Sequence, residues 1–385
     1  MSPKNHILYI GGVIPKQSFS GSAILYRHLQ RLEDSNWKIS VVSSEQKALN
    51  TNFPESWRII ALPDRRLWWP PVREKIPGSL ELRLHLWKRE CNKLFSEDRP
   101  SAILTVLWDY YSLLAAAISK SWNIPLSVIV HDDWELFSPV PNRSLIRKYK
   151  QNILEQSTRI WPVSARLGET IKLSNPRKQS VLLPIGSERN QNFIDWSDNF
   201  KQPVVAYAGT IYPKFSVTLK RIAKTLEKIK GTLILITSSQ NDEPLESLKE
   251  CPNIQFQEPL ATNDQALDFL AKNASCILVG YPFEQDKEFP WLNSFPSKLI
   301  EFANLGMPML ILTPSNTALS DWAVKHDWLC YLNEMDETKL LEVLLQISRK
   351  QTWEKMSEQT RFVSRNEFNP NLIHRQFESE IAMIK

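Results

Sequence analysis

Glycine is scarce in this chain, with 10 in 385 residues, well under the usual ~7%. Each glycine therefore marks a place where a bend or a close approach needs one. Long apolar runs are missing too. Nothing approaches about 18 consecutive apolar residues, so no spanning helix is expected. MSPKNH passes directly into ILYIGG, which reads as a strand rather than a secretory leader. The four cysteines, Cys91, Cys251, Cys276 and Cys330, form no CxxC pair, the pattern of reduced thiols in a cytosolic protein. There is no low-complexity tract and no GxGxxG fingerprint. A net charge of +5 suits an anionic substrate or an anionic membrane surface and falls short of a nucleic-acid footprint, so no nucleic-acid partner is expected.

What is present is an alternation of apolar strands and amphipathic helices, long enough for two domains. His6 to Ile10 is a strand that runs into GGVIPKQSFSGSA, a loop holding Gly11, Gly12 and Gly21, before a helix from Ala23 to Asp34. Backbone approaching a ligand and a simple tight turn both explain those glycines. Strands follow at Lys38–Ser43 and Arg58–Leu62. Next comes LPDRRLWWPPVREKIPGS, with Trp68 and Trp69 among Arg65, Arg66, Arg73 and Lys75. Tryptophan flanked by basic charge suggests a membrane-interface or acceptor loop; packing of the rings under a long loop is the plainer alternative.

A helix at Leu80–Glu97, a strand at Ala102–Val106, a helix at Leu113–Trp122 and a strand at Pro125–Val130 lead into HDDWELF. His131, Asp132 and Asp133 thus fall at a strand's carboxyl end, where ligand sites collect in open α/β sheets. Adjacent residues of an extended chain point in alternate directions, and no fourth ligand is evident. A catalytic or substrate-orienting His131 fits better than a metal site, and either Asp also suits a helix cap. A helix at Leu145–Glu155, a strand at Arg159–Val163, a helix at Ala165–Leu173 capped by Ser164, and VLLP at Val181–Pro184 close this half.

Residues 188–203 are polar and read as a linker. The alternation then restarts with VVAYAG, whose Gly209 ends a strand, followed by Thr210 and Lys214. A phosphate contact and a solvated loop lysine are both open for Lys214. Helices are expected at Val217–Lys230, Asp264–Ala271, Thr317–His326, Glu337–Ile347 and over one or two segments of Trp353–Lys385. Strands are expected at Thr232–Thr237, Ile254–Gln257, Ser275–Val279 and Trp328–Leu332. Such alternation implies parallel sheets with helices on both faces.

The stretch Ser294 to Thr313 is the most informative. Pro296 suits the first helical position, Leu299, Phe302 and Ala303 share a core-facing side, Gly306 suits the helix end, and Met309–Leu312 is a strand. Ser297 and Glu301, four apart, line up on the wet face. A helix start offers N–H groups and partial positive charge to a phosphate, Lys298 adds a full charge, and Glu301 suits a sugar's vicinal hydroxyls. A plain surface pair of Lys298 and Glu301 is the alternative.

SFPSKLIEFANLGMPMLIL resembles the donor-site segment of GT-B glycosyltransferases, in particular the retaining family 4 type. The glycine loop after the first strand, HD at a mid-domain strand end, VSARLGETI, LPIG and YAGT follow in the same order over nearly the whole chain. The resemblance implies two facing Rossmann-like domains with the active site in the cleft. The boundaries expected are 1–187 for an acceptor-side domain, 188–202 for a linker and 203–365 for a donor domain, with a helix at 366–385 crossing back onto the first. Glu301 would bind the donor ribose. Ser297 and Lys298 would hold the diphosphate, met by Gly209 and Lys214 from the other loop, with Thr210, Asn293 and Ser294 completing the donor side. His131 would lie near the transferred sugar and count with Lys298 and Glu301 among the catalytic residues. Gly11, Gly12 and Gly21, with Asp132 and Asp133, would shape the acceptor side. Two positions depart from the family: Asn293 stands where a second Glu is usual, and Thr210 where an Arg often follows the glycine.

The expected activity is hexosyl transfer from a nucleotide-diphosphate sugar, with retention, to a sugar or lipid-linked acceptor in polysaccharide or glycolipid synthesis. No metal or cofactor is expected beyond the donor. The location expected is cytoplasmic, at the inner membrane face if Trp68 and Trp69 touch lipid. The rivals are an inactive scaffold, favoured by Asn293 and Thr210, and a nucleotide-sugar epimerase using Asp109, Asp132 or Asp133.

Overall fold

The computed structural model describes residues 5–17, 21–62, 79–137, 143–188, 193–238, 243–283 and 292–383; Trp68 and Trp69 lie outside them. The chain divides into two compact units, Met1–Pro184 with Ile373–Lys385, and Ile185–Leu372.

In the first unit, strands β1 (Asn5–Ile10), β2 (Trp37–Ser44), β3 (Arg58–Leu62), β4 (Ala102–Val106), β5 (Leu126–Val130) and β6 (Arg159–Pro162) are near-continuous apolar runs. Runs of that kind are what burial on both faces of a parallel sheet demands. All pair in parallel, in the order β3-β2-β1-β4-β5-β6. The connecting helices are α1 (Gly21–Asp34), α2 (Glu45–Leu49), α3 (Ser79–Leu94), α4 (Tyr110–Trp122), α5 (Trp134–Phe137), α6 (Arg143–Gln156) and α7 (Ala165–Thr170). Ser164 caps α7 through its bond from Leu167 N–H, 2.9 Å. Helix α2 escaped the sequence reading because five residues carry too little periodicity. VLLP forms no sheet strand: Ser180 and Leu182 N–H bond to Ile160 and Pro162 carbonyls beside β6, and the ladder stops there.

The second unit repeats the plan. Strands β7 (Val204–Ala208), β8 (Thr232–Ile236), β9 (Ile254–Gln257), β10 (Cys276–Gly280), β11 (Met309–Leu312) and β12 (Tyr331–Leu332) lie in the order β12-β11-β10-β7-β8-β9, all parallel. Its helices are α8 (Pro213–Glu227), α9 (Glu243–Lys249), α10 (Asn263–Asn273), α11 (Ser297–Ala303), α12 (Ala318–Lys325), α13 (Glu337–Ile347) and α14 (Lys350–Asn366). Both sheets are therefore doubly wound, with the strand order reversing between β1 and β4 and between β7 and β10. Ligands bind beyond the carboxyl ends of the strands at such points.

Three further details differ from expectation. Pro296 is the residue before the helix rather than its first member, with ψ of 113°. Helix α8 begins four residues early, because Pro213 fixes a helical φ at its first position. The polar stretch 188–202 is, from residue 193 on, built onto the second unit. Ile194 N–H bonds to Leu305 O at 2.9 Å, and Trp196 and Phe200 pack on the fully buried Trp353.

The last helix, α15 (Pro370–Ala382), belongs to the first unit from Ile373 on. Glu380 accepts bonds from Trp161 Nε1 (2.7 Å) and Ser180 Oγ (2.5 Å). His374 meets His28 of α1, Nδ1 to Nδ1, at 3.2 Å. Both rings are buried, and burial holds both histidines below their ordinary pKa, His374 at about 4. Among the described residues no helix is long and apolar enough to cross a membrane.

Candidate functional site

The reversal between β7 and β10 carries the arrangement with most chemical content. Gly209 follows β7 with φ of +143°, a conformation that disfavours any side chain. The space a side chain would fill is taken by Lys298. A Cβ at Gly209 would overlap the Lys298 ammonium and sit 2.8 Å from its Cε. The ammonium lies 5.1 Å from the centre of the Tyr207 ring, within cation–π range. Tyr207 Oη donates to Thr210 O at 2.8 Å, which pins the loop. Removal of water from the ammonium pulls the Lys298 pKa down to about 8. A cation held this way gains from an anion placed beside it.

Glu301 lies one turn along α11. It is buried rather than on a wet face. Ser187 N–H donates to both carboxylate oxygens, at 3.3 and 3.2 Å, and Asn263 Nδ2 donates to Oε1. Leu299, Phe302 and Ala303 are buried as their spacing predicts, and Ile300 with them. Gly186 explains the LPIG motif, since a Cβ there would press within 3.2 Å of Ile300 and 3.7 Å of Glu301. Gly306 takes the left-handed conformation just past the helix, φ +65°. Ser297 opens α11 half-buried, Ser294 is buried and Asn293 half-buried in the segment before it. Lys214 is the second residue of α8, whose start carries no side-chain cap. Helix N-termini of this kind attract anions.

The reversal between β1 and β4 holds Gly11 and Gly12. Their lack of side chains is explained by the protein's own packing: a Cβ on Gly11 would overlap the Tyr9 hydroxyl, and one on Gly12 the Asp109 carboxylate. Lys47 Nζ donates to Gly12 O at 2.6 Å. Asp109 caps α4 through Tyr111 N–H, 2.9 Å. Burial pushes its carboxyl up to about 6, against bonds from Tyr111 and Gly12 and the charge of Lys47.

His131 is set at the end of β5 with Gly21 against its ring; a Cβ at Gly21 would lie 3.8 Å from its Cδ2. Its Nε2 is shielded from water and has no hydrogen-bond partner among the described residues. Burial lowers its pKa, with Asp132 opposing. Asp133 is engaged otherwise. It accepts from Glu135 N–H at 3.1 Å, capping α5, and pairs with Lys150 at 2.9 Å, the capping role open to it from sequence. Among the described residues no cluster of three His, Cys, Asp or Glu is placed to hold a metal ion.

The structure thus joins Gly209 to Lys298 in the second unit, with Glu301 three positions further along α11, and joins Gly21 to His131 in the first. Tyr207, Ser187 and Asn263 were not singled out from sequence. Asn263 follows Thr262, whose hydroxyl caps α10, so the run TND reads as an ordinary helix start. Its partner 38 residues away is visible only in three dimensions.

No family model matches this sequence, and no curated protein matches it. Solved structures do match. A glycosyltransferase from Rickettsia africae aligns over 99% of this chain and 98% of its own, with 14% identity and a TM-score of 0.68. HepE from Anabaena, solved with UDP, aligns over 98% and 100%, with 12% identity and a TM-score of 0.66. A structure from Listeria monocytogenes described as a putative UDP-N-acetylglucosamine 2-epimerase aligns over 98% and 96%, with 12% identity and a TM-score of 0.58. At these identities the likeness is one of fold. The chain has the two-sheet α/β fold of the GT-B glycosyltransferases.

Proposed function

We propose that this protein is a glycosyltransferase that takes a sugar from a nucleotide diphosphate. The observation that carries the reading is the Lys298 ammonium, held against Gly209 at the strand reversal, with the Glu301 carboxylate one turn further on α11. Breaking the donor's glycosidic bond leaves negative charge on the diphosphate. A preorganised ammonium stabilises that charge more in the transition state than in the ground state, which is often the largest catalytic effect. Lys214 and the N–H groups at the start of α8 add to it, and Ser297, Asn293 and Ser294 line the same side. Glu301 accepts the ribose hydroxyls. Positive charge comes from lysines, so the reading needs no metal.

His131 hydrogen-bonds the transferred sugar through its unpaired Nε2. Retention of configuration follows the resemblance to family 4, with the leaving phosphate's oxygen facing the sugar cation and no protein nucleophile. A sugar or lipid-linked acceptor, polysaccharide or glycolipid synthesis and a cytoplasmic location with Trp68 and Trp69 at the inner membrane face complete the reading. The UDP bound to HepE makes UDP the first nucleotide to try.

One observation favours a second reading, a nucleotide-sugar epimerase. Asp109, with a carboxyl near 6, suits proton transfer at neutral pH, and an epimerase shares the fold. An epimerase consumes donor without an acceptor; a transferase then shows only slow hydrolysis.

The test is a thermal-shift screen with UDP, GDP, ADP and their sugar conjugates, on the wild type and Glu301→Ala. At 100 times Kd a ligand stabilises by about 2.7 kcal/mol, a shift on the order of 5 °C for units of this size. A shift with one nucleotide that is lost in Glu301→Ala is expected. No shift with any nucleotide refutes the reading and leaves a likeness of fold only.

A further inference from the structure

Glu301 is held by partners drawn from two other segments of the second unit. Ser187 N–H reaches both carboxylate oxygens, and the Asn263 amide donates to Oε1 while standing 3.5 Å from Ser187 Oγ. The three residues come from the opening segment of the second unit, the first position of α10 and the middle of α11. Each support is itself fixed. Ser187 O accepts from Asn304 Nδ2 at 3.2 Å, and Asn304 Oδ1 accepts from Ser364 Oγ at 3.2 Å, with Asn304 and Ser364 both buried. Asn263 stands next to the Thr262 cap, whose hydroxyl and carbonyl receive Gln265 and Ala266 N–H at 3.2 and 3.1 Å.

A glutamate side chain left to itself samples several rotamers, and a flexible acceptor meets a sugar hydroxyl poorly. Selectivity for a hydroxyl needs an acceptor already in place, so that an analogue lacking the hydroxyl leaves a buried acceptor position unmet. The carboxamide at Asn263 does this without cost in charge: it donates and does not titrate.

We propose that Asn263 is a positioning residue that fixes the Glu301 carboxylate and thereby makes the nucleotide site select ribose over 2′-deoxyribose. This rests on the reading of Glu301 as the ribose partner. Asn263 acts through Glu301 and does not itself touch the sugar. The rival is a purely structural tie between α10 and α11, which would affect stability and leave sugar selectivity alone.

The experiment measures binding of UDP and 2′-deoxy-UDP by calorimetry at pH 7, on the full chain, in the wild type, Asn263→Ala, Asn263→Asp and Glu301→Ala. Asn263→Asp is nearly isosteric and covers the case in which truncation unfolds the chain. The wild type is expected to prefer UDP at least about tenfold, the worth of one hydrogen bond to a charged group. Asn263→Ala weakens UDP several-fold and leaves 2′-deoxy-UDP unchanged, so the ratio falls toward one. Asn263→Asp sets a second carboxylate beside the first and lowers the ratio as well. A wild-type ratio retained in both Asn263 variants while Glu301→Ala abolishes it overturns the proposal and spares the reading of Glu301. A ratio that survives in Glu301→Ala, or a wild type without preference, refutes the ribose reading itself.

Discussion

Gly209→Ala is the perturbation whose effect the structure fixes most closely. Two costs arise. The backbone there has φ of +143°, and an L side chain in such a region costs about 1–3 kcal/mol. The new methyl also falls on the Lys298 ammonium and 2.8 Å from its Cε. A lysine end is flexible, so the ammonium moves rather than the strand. The displaced charge then loses its place against the Tyr207 ring and the diphosphate. A hydrogen bond to a charged group is worth about 1.5–3 kcal/mol, so nucleotide affinity should fall about 10- to 100-fold. Lys298→Met removes the charge while keeping the length, and should cost a similar amount. If Gly209 acts through Lys298, the losses do not add: in a Lys298→Met background, Gly209→Ala should cost little further affinity. Calorimetric titration of the two single variants and the double variant measures this. Additive losses, or wild-type affinity in Gly209→Ala, would refute the idea that the glycine exists to seat the ammonium.

Two predictions concern pH. Lys298 is lowered to about 8 by loss of water, so the ammonium is charged below that value and neutral above it. Affinity for a nucleotide diphosphate should therefore decline as pH rises from about 7 to 9, the phosphates being ionised throughout. In Lys298→Met the decline should flatten, as titration across that range would show. The second concerns the buried histidines. His374 is lowered to about 4 and His28 is lowered too, while both titrate near 6.5 when unfolded. Between those values the unfolded chain holds more protons, so stability drops as pH falls from 6.5 toward 4. His374→Phe should remove on the order of 1–3 kcal/mol of that pH-dependent loss, read from urea unfolding at pH 7 and pH 4.5. His6, also near 4, leaves a residual slope. An unchanged slope in His374→Phe would count against the His28–His374 contact as its source.

The fold was legible because its signals are local. Near-continuous apolar runs such as ILYI, AILTV and CILVG, short and bounded by turn residues, read as strands buried on both faces, and their alternation with amphipathic helices leaves a doubly wound sheet as the economical arrangement. A cap written in one residue, Ser164, placed the start of its helix closely. Where the signal was short or the constraint distant, the reading slipped. Helix α2 has five residues, too few to show a period.

The candidate site divides along the same line. Residue type and spacing in one helix put Lys298 and Glu301 on neighbouring turns, and a lone glycine after β7 drew attention to Gly209. Sequence alone determined those, because helix periodicity and glycine's conformational freedom are properties of a few adjacent residues. It did not determine that Lys298 fills the space Gly209 leaves, that Glu301 is buried against Ser187 and Asn263, or that Gly11 and Gly12 yield to Tyr9 and Asp109. Apart from Gly11 and Tyr9, which are neighbours across a bend, those contacts join residues from tens to more than a hundred positions apart. Each exists only once the sheet of its own unit is wound, so only tertiary packing decided which polar groups meet, which lose water, and which carry a shifted charge.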